Sequence, residues 1–266
     1  AIPLWTFNAC PGAIVTVSTT QQLYDAVAAL QNGQEIVIEP GIYNITTINV
    51  PPGLDNIKIS GSGTNSSNVI LNGPGMNSTV NFGIKLTQVS NLVIKNITIR
   101  NVKEHAIIGD RLTNVTFDNV SLIDSGDQFL KINPDGPGNT NVVLTNSLIE
   151  YTSIAPDSYT NGVDYHLCNA CVVRNTRINN IRSDSGLAGP AILIWRGSRD
   201  NIVENNTMSN NQRDISMGLE VSPTSTPDNR FGVVSGNIIT RSGANNDVPI
   251  MIADSPGTIV TRNTIN

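Results

Sequence analysis

A short local pattern recurs seven times along this chain: a run of β-branched or apolar residues is followed by an asparagine. Successive asparagines are separated by 23, 27, 29, 30, 32 and 26 residues, by subtraction of their numbers, and such intervals are typical of solenoid proteins. A stack of strands can use this pattern, because identical asparagine side chains on adjacent coils can hydrogen-bond to one another. The repeat therefore predicts an all-β fold, a right-handed parallel β-helix. The seven residues are Asn96, Asn119, Asn146, Asn175, Asn205, Asn237 and Asn263.

The composition agrees with an aliphatic core and polar turns. Only 14% of the 266 residues are charged and 5% are aromatic, while valine, isoleucine and asparagine are abundant. The formal net charge is −5 and no basic face is visible, so we expect no nucleic-acid partner. No apolar run is long enough to cross a bilayer, so we expect no membrane partner.

One helical segment precedes the repeats, at residues 18–32, and Ser18 or Thr19 can cap its start. A solenoid end exposes unpaired strand edges and apolar core, so we expect this helix to act as a lid. We therefore predict an N-terminal cap with a helix at residues 1–34 and a single domain of β-helix repeats at residues 35–266. The apolar residues on one face of this helix are Leu23, Val27 and Leu30.

The chain has three cysteines, Cys10, Cys168 and Cys171. The last two form a Cys-x-x-Cys motif beside His166, but a structural zinc site needs four ligands and the second pair is missing. A redox motif would need the start of a helix, whereas this segment has the pattern of a turn and a strand. We expect a local disulfide or two packed thiols, with Cys10 free.

Extended solenoids of this composition usually work outside the cell, so we expect a secreted, extracellular protein. The chain starts at Ala1 rather than at a methionine, which removal of a signal peptide would explain and an arbitrary chain boundary would explain equally well. We expect the protein to be a monomer.

A second strand in each repeat, upstream of the asparagine run, predicts a polar patch on the outside of the solenoid. Side chains alternate between inside and outside along a strand, and neighbouring coils stack about 4.8 Å apart, so outward side chains of adjacent coils meet. The residues that we predict to face inward are Leu130, Ile132, Val163, Tyr165, Leu193 and Trp195.

This alternation places five polar side chains on the outside. We expect Asn133, His166 and Arg196 in one vertical column, and Lys131 beside Asp164 in the adjacent column. Each has an ordinary alternative: Lys131 and Asp164 could form a surface ion pair worth about 0–1 kcal/mol, and His166 could be a solvated strand residue. Three adjacent coils that gather lysine, histidine and arginine favour a functional site.

The chemistry that fits this set is proton abstraction next to a carboxylate. In a uronic-acid polysaccharide the C5 proton is too weakly acidic to leave unless the neighbouring carboxylate is neutralised and the developing enolate-like charge is stabilised. Arg196, with Asn133 or Lys131, can supply that charge, and an unprotonated His166 can take the proton near neutral pH. Loss of the leaving group at C4 gives a lyase, and return of a proton from the opposite face gives an epimerase. The candidate acids are Tyr159, Tyr165 and Lys131.

Residues 161–166, Asn-Gly-Val-Asp-Tyr-His, resemble the Tyr-Gly-Phe-Asp-Pro-His motif of the mannuronan C5-epimerases, which are parallel β-helix enzymes. The resemblance implies catalytic roles for Asp164 and His166, and for Lys131, which lies one coil earlier. Asn161 replaces the tyrosine of the motif and Tyr165 replaces its proline, and the first departure favours a lyase over an epimerase. The repeats and the helix-then-strand opening resemble the wider pectate-lyase-like superfamily over nearly the whole chain.

Several further residues are candidates on weaker grounds. Arg213 lies one coil beyond Arg196, and it could equally pair with Asp214. Trp195 is predicted in the core, and a register shift of one residue would turn it into a platform for sugar stacking. We predict no cofactor, although the resemblance to pectate lyases leaves calcium open, with Asp110, Asp124 and Asp127 as possible ligands. The predicted substrate-binding residues are Asn133, Arg213, Tyr165 and Asn161.

Three functions remain open from the sequence. The first is an enzyme that removes the C5 proton of an acidic polysaccharide. The second is a glycoside hydrolase, which needs two carboxylates about 5–9 Å apart, such as Asp164 with Asp110 or Glu220. The third is a non-catalytic, polysaccharide-binding β-helix, because this fold hosts all three functions.

Overall fold

The computed structural model describes residues 14–219, 226–241 and 247–266; Cys10 and Glu220 lie outside these ranges. The described chain winds into a right-handed parallel β-helix, as predicted, with two sheets whose strands pair in parallel from coil to coil. A continuous aliphatic core runs between the sheets. None of the helices among the described residues has the length and hydrophobicity to span a bilayer.

The smaller sheet takes one strand from each coil and lies on the side of the molecule that carries the predicted patch. Its eight strands are Ile48–Asn49, Phe82–Thr87, His105–Asp110, Leu130–Asn133, Val163–His166, Ile192–Trp195, Ile215–Met217 and Ile250–Ile252.

The larger sheet is bent at a corner in each coil and closes the other sides of the solenoid. Its twenty strands are Ile14–Val17, Glu35–Ile38, Gly41–Asn44, Asp55–Gly61, Val69–Asn72, Ser90–Val102, Thr113–Ser125, Asn139–Thr145, Leu148–Glu150, Cys168–Asn169, Val172–Arg174, Arg177–Asn179, Ser198–Arg199, Ile202–Glu204, Thr207–Ser209, Asn229–Arg230, Val233–Ser235, Ile238–Thr240, Ile259–Thr261 and Thr264–Ile265.

Most of the repeated asparagines lie at the corners of this sheet. Five of them have positive φ values, such as 57° at Asn96 and 54° at Asn205, and asparagine adopts this left-handed conformation more readily than most residues. The predicted pairing between coils is present where Asn119 Nδ2 donates to Asn96 Oδ1 over 2.9 Å. Asparagine therefore both bends the chain and links successive coils.

The last two repeats were aligned wrongly from the sequence. Asn237 is in register with Asn206 rather than with Asn205, and the corner of its coil is Gly236, with φ 65°. Asn206 Nδ2 donates to Asn237 Oδ1 over 3.0 Å, and Asn237 Nδ2 donates to Asn263 Oδ1 over 2.9 Å. Two adjacent positions per coil accept asparagine, one at the outer corner and one in the interior, so spacing alone could not separate the two columns.

The predicted helix is present but shorter than residues 18–32. It spans Thr20–Ala28, and the Thr19 hydroxyl accepts a hydrogen bond from the backbone of Gln22, as expected of a capping residue. Leu23 and Val27 pack into the same core as the first coils. A strand that was not predicted, Ile14–Val17, pairs with Glu35–Ile38, and a 3-10 turn lies at Ser66–Asn68.

The two neighbouring cysteines are bonded. Cys168 and Cys171 form a disulfide with a Cα–Cα distance of 5.9 Å, and both are fully buried. This confirms the local disulfide, one of the two arrangements that the sequence left open.

Candidate active site

A cavity of about 270 Å³ opens on the outer face of the eight-stranded sheet. Its floor contains Lys131 from strand Leu130–Asn133, and Asp164 and His166 from strand Val163–His166. Its walls come from residues 158–161 and from Leu187, Gly189 and Pro190, in the loops that lead into the next strands. The sheet thus fixes the floor, and the longer inter-coil loops make the enclosure.

Three ionisable side chains touch one another on this floor. Lys131 is in register with Asp164, as predicted, and its Nζ donates to Asp164 Oδ2. His166 Nε2 lies 3.1 Å from Lys131 Nζ and 3.0 Å from Asp164 Oδ1. We call Lys131, Asp164 and His166 the triad. All three are more than nine-tenths buried, so this is not the solvated surface ion pair considered above.

The strand that follows the triad has the opposite orientation to the predicted one. Asp164 is in register with Leu193, and His166 with Trp195, so Leu193 and Trp195 face outward and line the cavity. Ile194 is fully buried instead. The sequence Ile-Leu-Ile-Trp is apolar at every position, so alternation carries no information about which face is inside.

Trp195 completes the triad's surroundings, a function that the sequence did not reveal. Its Nε1 donates to Asp164 Oδ1 over 2.9 Å. Its ring meets the His166 ring edge-on, with centroids 5.0 Å apart, and the Arg196 guanidinium lies 4.3 Å from its centroid. The indole therefore contacts the aspartate, the histidine and one arginine at once. The predicted column of Asn133, His166 and Arg196 is wrong at its third member, since Trp195 takes that place.

The triad is electrostatically coupled. Burial lowers the pKa of His166, and the charges of Lys131 and Arg196 lower it further, although Asp164 acts in the opposite direction. Burial alone would raise the pKa of Asp164, but the hydrogen bond and charge of His166, with those of Lys131, hold it below its usual value. At neutral pH the site therefore holds a neutral imidazole beside an ionised carboxylate.

Two arginines stand at the edge of the cavity. Arg196 is exposed, and its backbone N–H donates to Asp228 Oδ1 over 2.7 Å. Arg213 is half-buried, and its Nε lies 3.2 Å from Asp247 Oδ2 rather than beside Asp214. Both line the cavity, so a negatively charged ligand there would meet two guanidinium groups.

Of the other predicted site residues, some line the cavity and others do not. Asn161 lines the cavity and ties its walls together, because its Nδ2 donates to the backbone oxygen of Pro190 over 3.1 Å. Tyr159 also lines the cavity and is exposed. Tyr165 is fully buried in the core, so its prediction as a substrate-binding residue or acid was wrong; the strand that points Asp164 and His166 outward must point it inward. Asn133 is not among the cavity-lining residues described.

The carboxylates considered for calcium have separate surroundings. Asp110 is paired with Arg111, and Asp124 accepts hydrogen bonds from the hydroxyl and backbone of Thr152. Asp127 instead lies with two other side chains whose ligand atoms are within 4.8 Å of one another, those of Glu104 and His105. Two carboxylates and an imidazole offer fewer oxygen ligands than calcium takes, so these residues do not fit a calcium site.

The fold and the triad together define a right-handed parallel β-helix with a buried ionisable site on one sheet. Similar solved structures include an alginate lyase from Paenibacillus sp. str. FPU-7, at 15% identity over 95% of this chain and 97% of that one, with a TM-score of 0.56. A Bacillus subtilis pectate lyase variant matches at 13% identity over 95% and 82% of the two chains, with a TM-score of 0.53. A pectin methylesterase matches at 12% identity over 96% and 93%, with a TM-score of 0.58. At these identities the likeness establishes the fold alone. No family model and no curated protein matches the sequence.

Proposed function

We propose that the protein is an enzyme that removes the C5 proton of a uronic-acid residue in an acidic polysaccharide and acts as a lyase by β-elimination. The observation that carries the proposal is the buried triad on the floor of a cavity edged by arginines. Alginate and pectate lyases among the structures of similar fold support a polysaccharide as the substrate.

The lowered pKa of His166 supports a proton-accepting function near neutral pH. Lys131 Nζ and His166 Nε2 are 3.1 Å apart, so one proton can pass directly between them. We therefore assign the acceptor function to this pair rather than to one member. Asp164 remains ionised beside both and stabilises the positive charge that the pair gains.

The remaining steps use the edge of the cavity. Arg196 and Arg213 would neutralise the uronate carboxylate and the charge that develops on it when the C5–H electrons move toward it. Those electrons then form the C4=C5 double bond as the C4–O bond breaks. The departing oxygen takes a proton from Tyr159, the exposed phenol of the wall, which leaves an unsaturated sugar at the new chain end.

C5-epimerisation is the second candidate. The motif at residues 161–166 supports it, and so does Tyr159, which offers a phenol two residues from the position where the epimerase motif has its tyrosine. In that reaction no C4–O bond breaks, and a proton returns to C5 from the other face. Hydrolysis is less well supported, because Asp164 is the one carboxylate among the described residues of the cavity and it is paired with Lys131.

Three further properties belong to this proposal. The Cys168–Cys171 disulfide supports secretion, since disulfides persist in oxidising compartments. We also propose that the protein acts as a monomer and without a metal, because the described residues at the cavity offer no set of ligands that suits calcium. A chelator should then leave turnover unchanged.

The test is to mix the protein with alginate, polygalacturonate, glucuronan and glycosaminoglycans and to follow the ultraviolet absorbance of the C4=C5 double bond. We expect a rise with one polymer and a loss of about 10²–10⁴-fold in the His166→Ala variant. Arg199→Glu, an exposed change outside the cavity, serves as the control. Proton NMR of the same mixtures would detect epimerisation. Neither product with any polymer, or equal rates in wild type and His166→Ala, would refute the proposal.

A further inference from the structure

A second and larger cavity, of about 740 Å³, lies on the twenty-stranded sheet, away from the triad. It follows the outer corners of successive coils, and the corner asparagines Asn119, Asn146, Asn175 and Asn205 line it one above the other. We call it the corner groove. Because it crosses four coils about 4.8 Å apart, it has the shape for an extended ligand rather than a compact one.

One end of the groove is already filled by the protein itself. The loop at residues 62–68 lies against the corners of the two coils that follow it, where Asn96 Nδ2 donates to the backbone oxygen of Gly63 over 2.6 Å. One coil further, Asn119 Nδ2 donates to the backbone oxygen of Thr64 over 2.7 Å. Two successive corner amides thus bind the backbone oxygens of two successive loop residues, one on each coil.

The hydroxyl groups beside the corners take part in the same way. Thr98 Oγ1 donates to the backbone oxygen of Ser66 over 3.0 Å, and the Ser66 and Ser121 hydroxyls lie 3.0 Å apart. Ser66 then forms the end wall of the open part of the groove. The loop therefore shows which groups the corners bind: carbonyl and hydroxyl oxygens spaced along a chain.

Beyond Ser66 the loop no longer covers the corner asparagines, of which Asn146 already donates through Nδ2 to Asp118 Oδ1 over 2.7 Å. Asn96 is 8% exposed under the loop, whereas Asn146, Asn175 and Asn205 are exposed. The groove also gains a positive charge there from the exposed side chain of Arg177, and none of its described lining residues is acidic. A ligand that continues the path of the loop would meet amide donors, hydroxyls and one guanidinium.

We infer that the corner groove is a second, non-catalytic binding site for an acidic polysaccharide. An extended sugar chain presents hydroxyl and ring oxygens at each unit, at an interval comparable to the coil spacing, and a uronate adds the carboxylate that Arg177 would bind. The choice of polymer rests on the proposed function, since we take it to be the substrate of the triad. Binding at the groove would hold the polymer near the enzyme and raise its effective concentration at the cavity.

The test is calorimetric titration of a short uronate oligomer into a His166→Ala parent that does not consume it. The oligomer comes from the polymer that is turned over in the absorbance assay; if none is turned over, an oligomer of each polymer in the panel is titrated in turn. We expect two binding sites per chain. Arg177→Glu should abolish one, and Asn175→Gly, which keeps the left-handed backbone of that corner at φ 49° while removing the amide, should weaken the same site several-fold. Arg196→Glu should abolish the other site, and Arg199→Glu, with the same charge reversal outside both cavities, should retain both.

A single site that Arg196→Glu removes, or equal binding by the Arg177→Glu and Arg199→Glu variants, overturns the inference. Retention of the Arg177-dependent site by a neutral oligomer at equal affinity overturns the acidic class of ligand. The outcome is separable from the proposed function, which is measured by turnover. A protein without turnover that still loses one site in Arg177→Glu refutes the lyase and leaves the groove standing.

Discussion

Two polar columns run along this solenoid with the same coil spacing and opposite character. The interior ladder of Asn206, Asn237 and Asn263 repeats one neutral side chain, and each amide donates to the next. The column that contains Lys131 and Asp164 changes at every coil, from a cation to an anion to an apolar Leu193. In the first column each amide hydrogen-bonds to an identical amide on the next coil. In the second, a buried charge is neutralised only where residues of opposite charge are neighbours.

The difference shows how one architecture serves stability and chemistry. Within the ladder, Asn237 binds an asparagine amide on each side, so neighbouring coils of the ladder resemble each other. A buried charge is costly unless its counter-charge is in place, so the triad depends on a single register between two strands. Residues that repeat from coil to coil stabilise the scaffold, and residues that differ from coil to coil form the reactive site. Four predictions break or sharpen this contrast, from the largest expected effect to the smallest.

Breaking the charged column should have the largest effect on stability. Lys131→Met leaves Asp164 buried without its cation, which we expect to lower the free energy of unfolding by about 3–5 kcal/mol, as measured by chemical denaturation at neutral pH. The double variant Lys131→Met/Asp164→Leu should recover most of that loss and remain inactive. If the double variant is no more stable than the single one, the pair is not the source of the effect.

Breaking the ladder should cost less and leave the chemistry intact. Asn206 accepts from the backbone N–H of Thr176 and donates to the backbone oxygen of Val173, so Asn206→Ala leaves both groups unsatisfied. We expect a loss of about 1–3 kcal/mol in the free energy of unfolding with unchanged turnover per folded molecule. The adjacent Asn205→Gly is the matched control: it is exposed, keeps its left-handed backbone, and should change stability by less than about 0.5 kcal/mol. Equal losses in both variants would show that burial of the ladder is unimportant.

The sequence predicted the fold and the outward position of the three triad residues for the same reason. The period of the repeats defines a coil, and alternation within strands bounded by polar residues fixed the orientation of Lys131, Asp164 and His166. Those strands contain charged residues that can only face outward. Where the two signals were both present, as in Val163–His166, prediction and structure agree.

The failures occurred where one signal was missing. The strand Ile192–Trp195 is apolar throughout, so alternation could not place Trp195, and only its register with His166 shows that it faces the cavity. Asn205 and Asn206 are neighbours of the same type, so spacing could not tell the corner from the interior. Tyr165 was predicted to face inward by alternation and also to bind substrate, and the two predictions could not both hold; its full burial decides between them. The corner groove depends on where a loop lies, which no local pattern encodes.

Trp195 allows the dependence of the triad on one specific neighbour to be tested within the site. Trp195→Phe keeps an aromatic ring against His166 and removes the hydrogen bond to Asp164 Oδ1. A hydrogen bond to a charged group contributes roughly 1.5–3 kcal/mol, so we expect turnover to fall at least about 10-fold with little change in the Michaelis constant. A fall in affinity with unchanged turnover would instead assign Trp195 to sugar stacking.

The smallest effect concerns the pKa of His166 and the charge at the edge of the cavity. The folded pKa is lowered, so the imidazole stays neutral as the pH falls below the usual histidine value of about 6.5, and activity is lost only when the pH falls through that lowered pKa. Arg196 contributes to the lowering from an exposed position, so Arg196→Gln should raise the pKa of His166, and the difference should shrink as salt screens the charge.

The chain has only two histidines, and the pKa of His105 is lowered to about 4 by burial, so an NMR titration of the two rings separates them directly. A pKa of His166 that is the same in wild type and Arg196→Gln at low salt would show that the arginine does not act on the triad. If Arg196→Gln raises the pKa of His166 and leaves that of His105 unchanged, the charge of Arg196 acts selectively on the triad. A single exposed charge would then change the reactivity of the site without changing the scaffold.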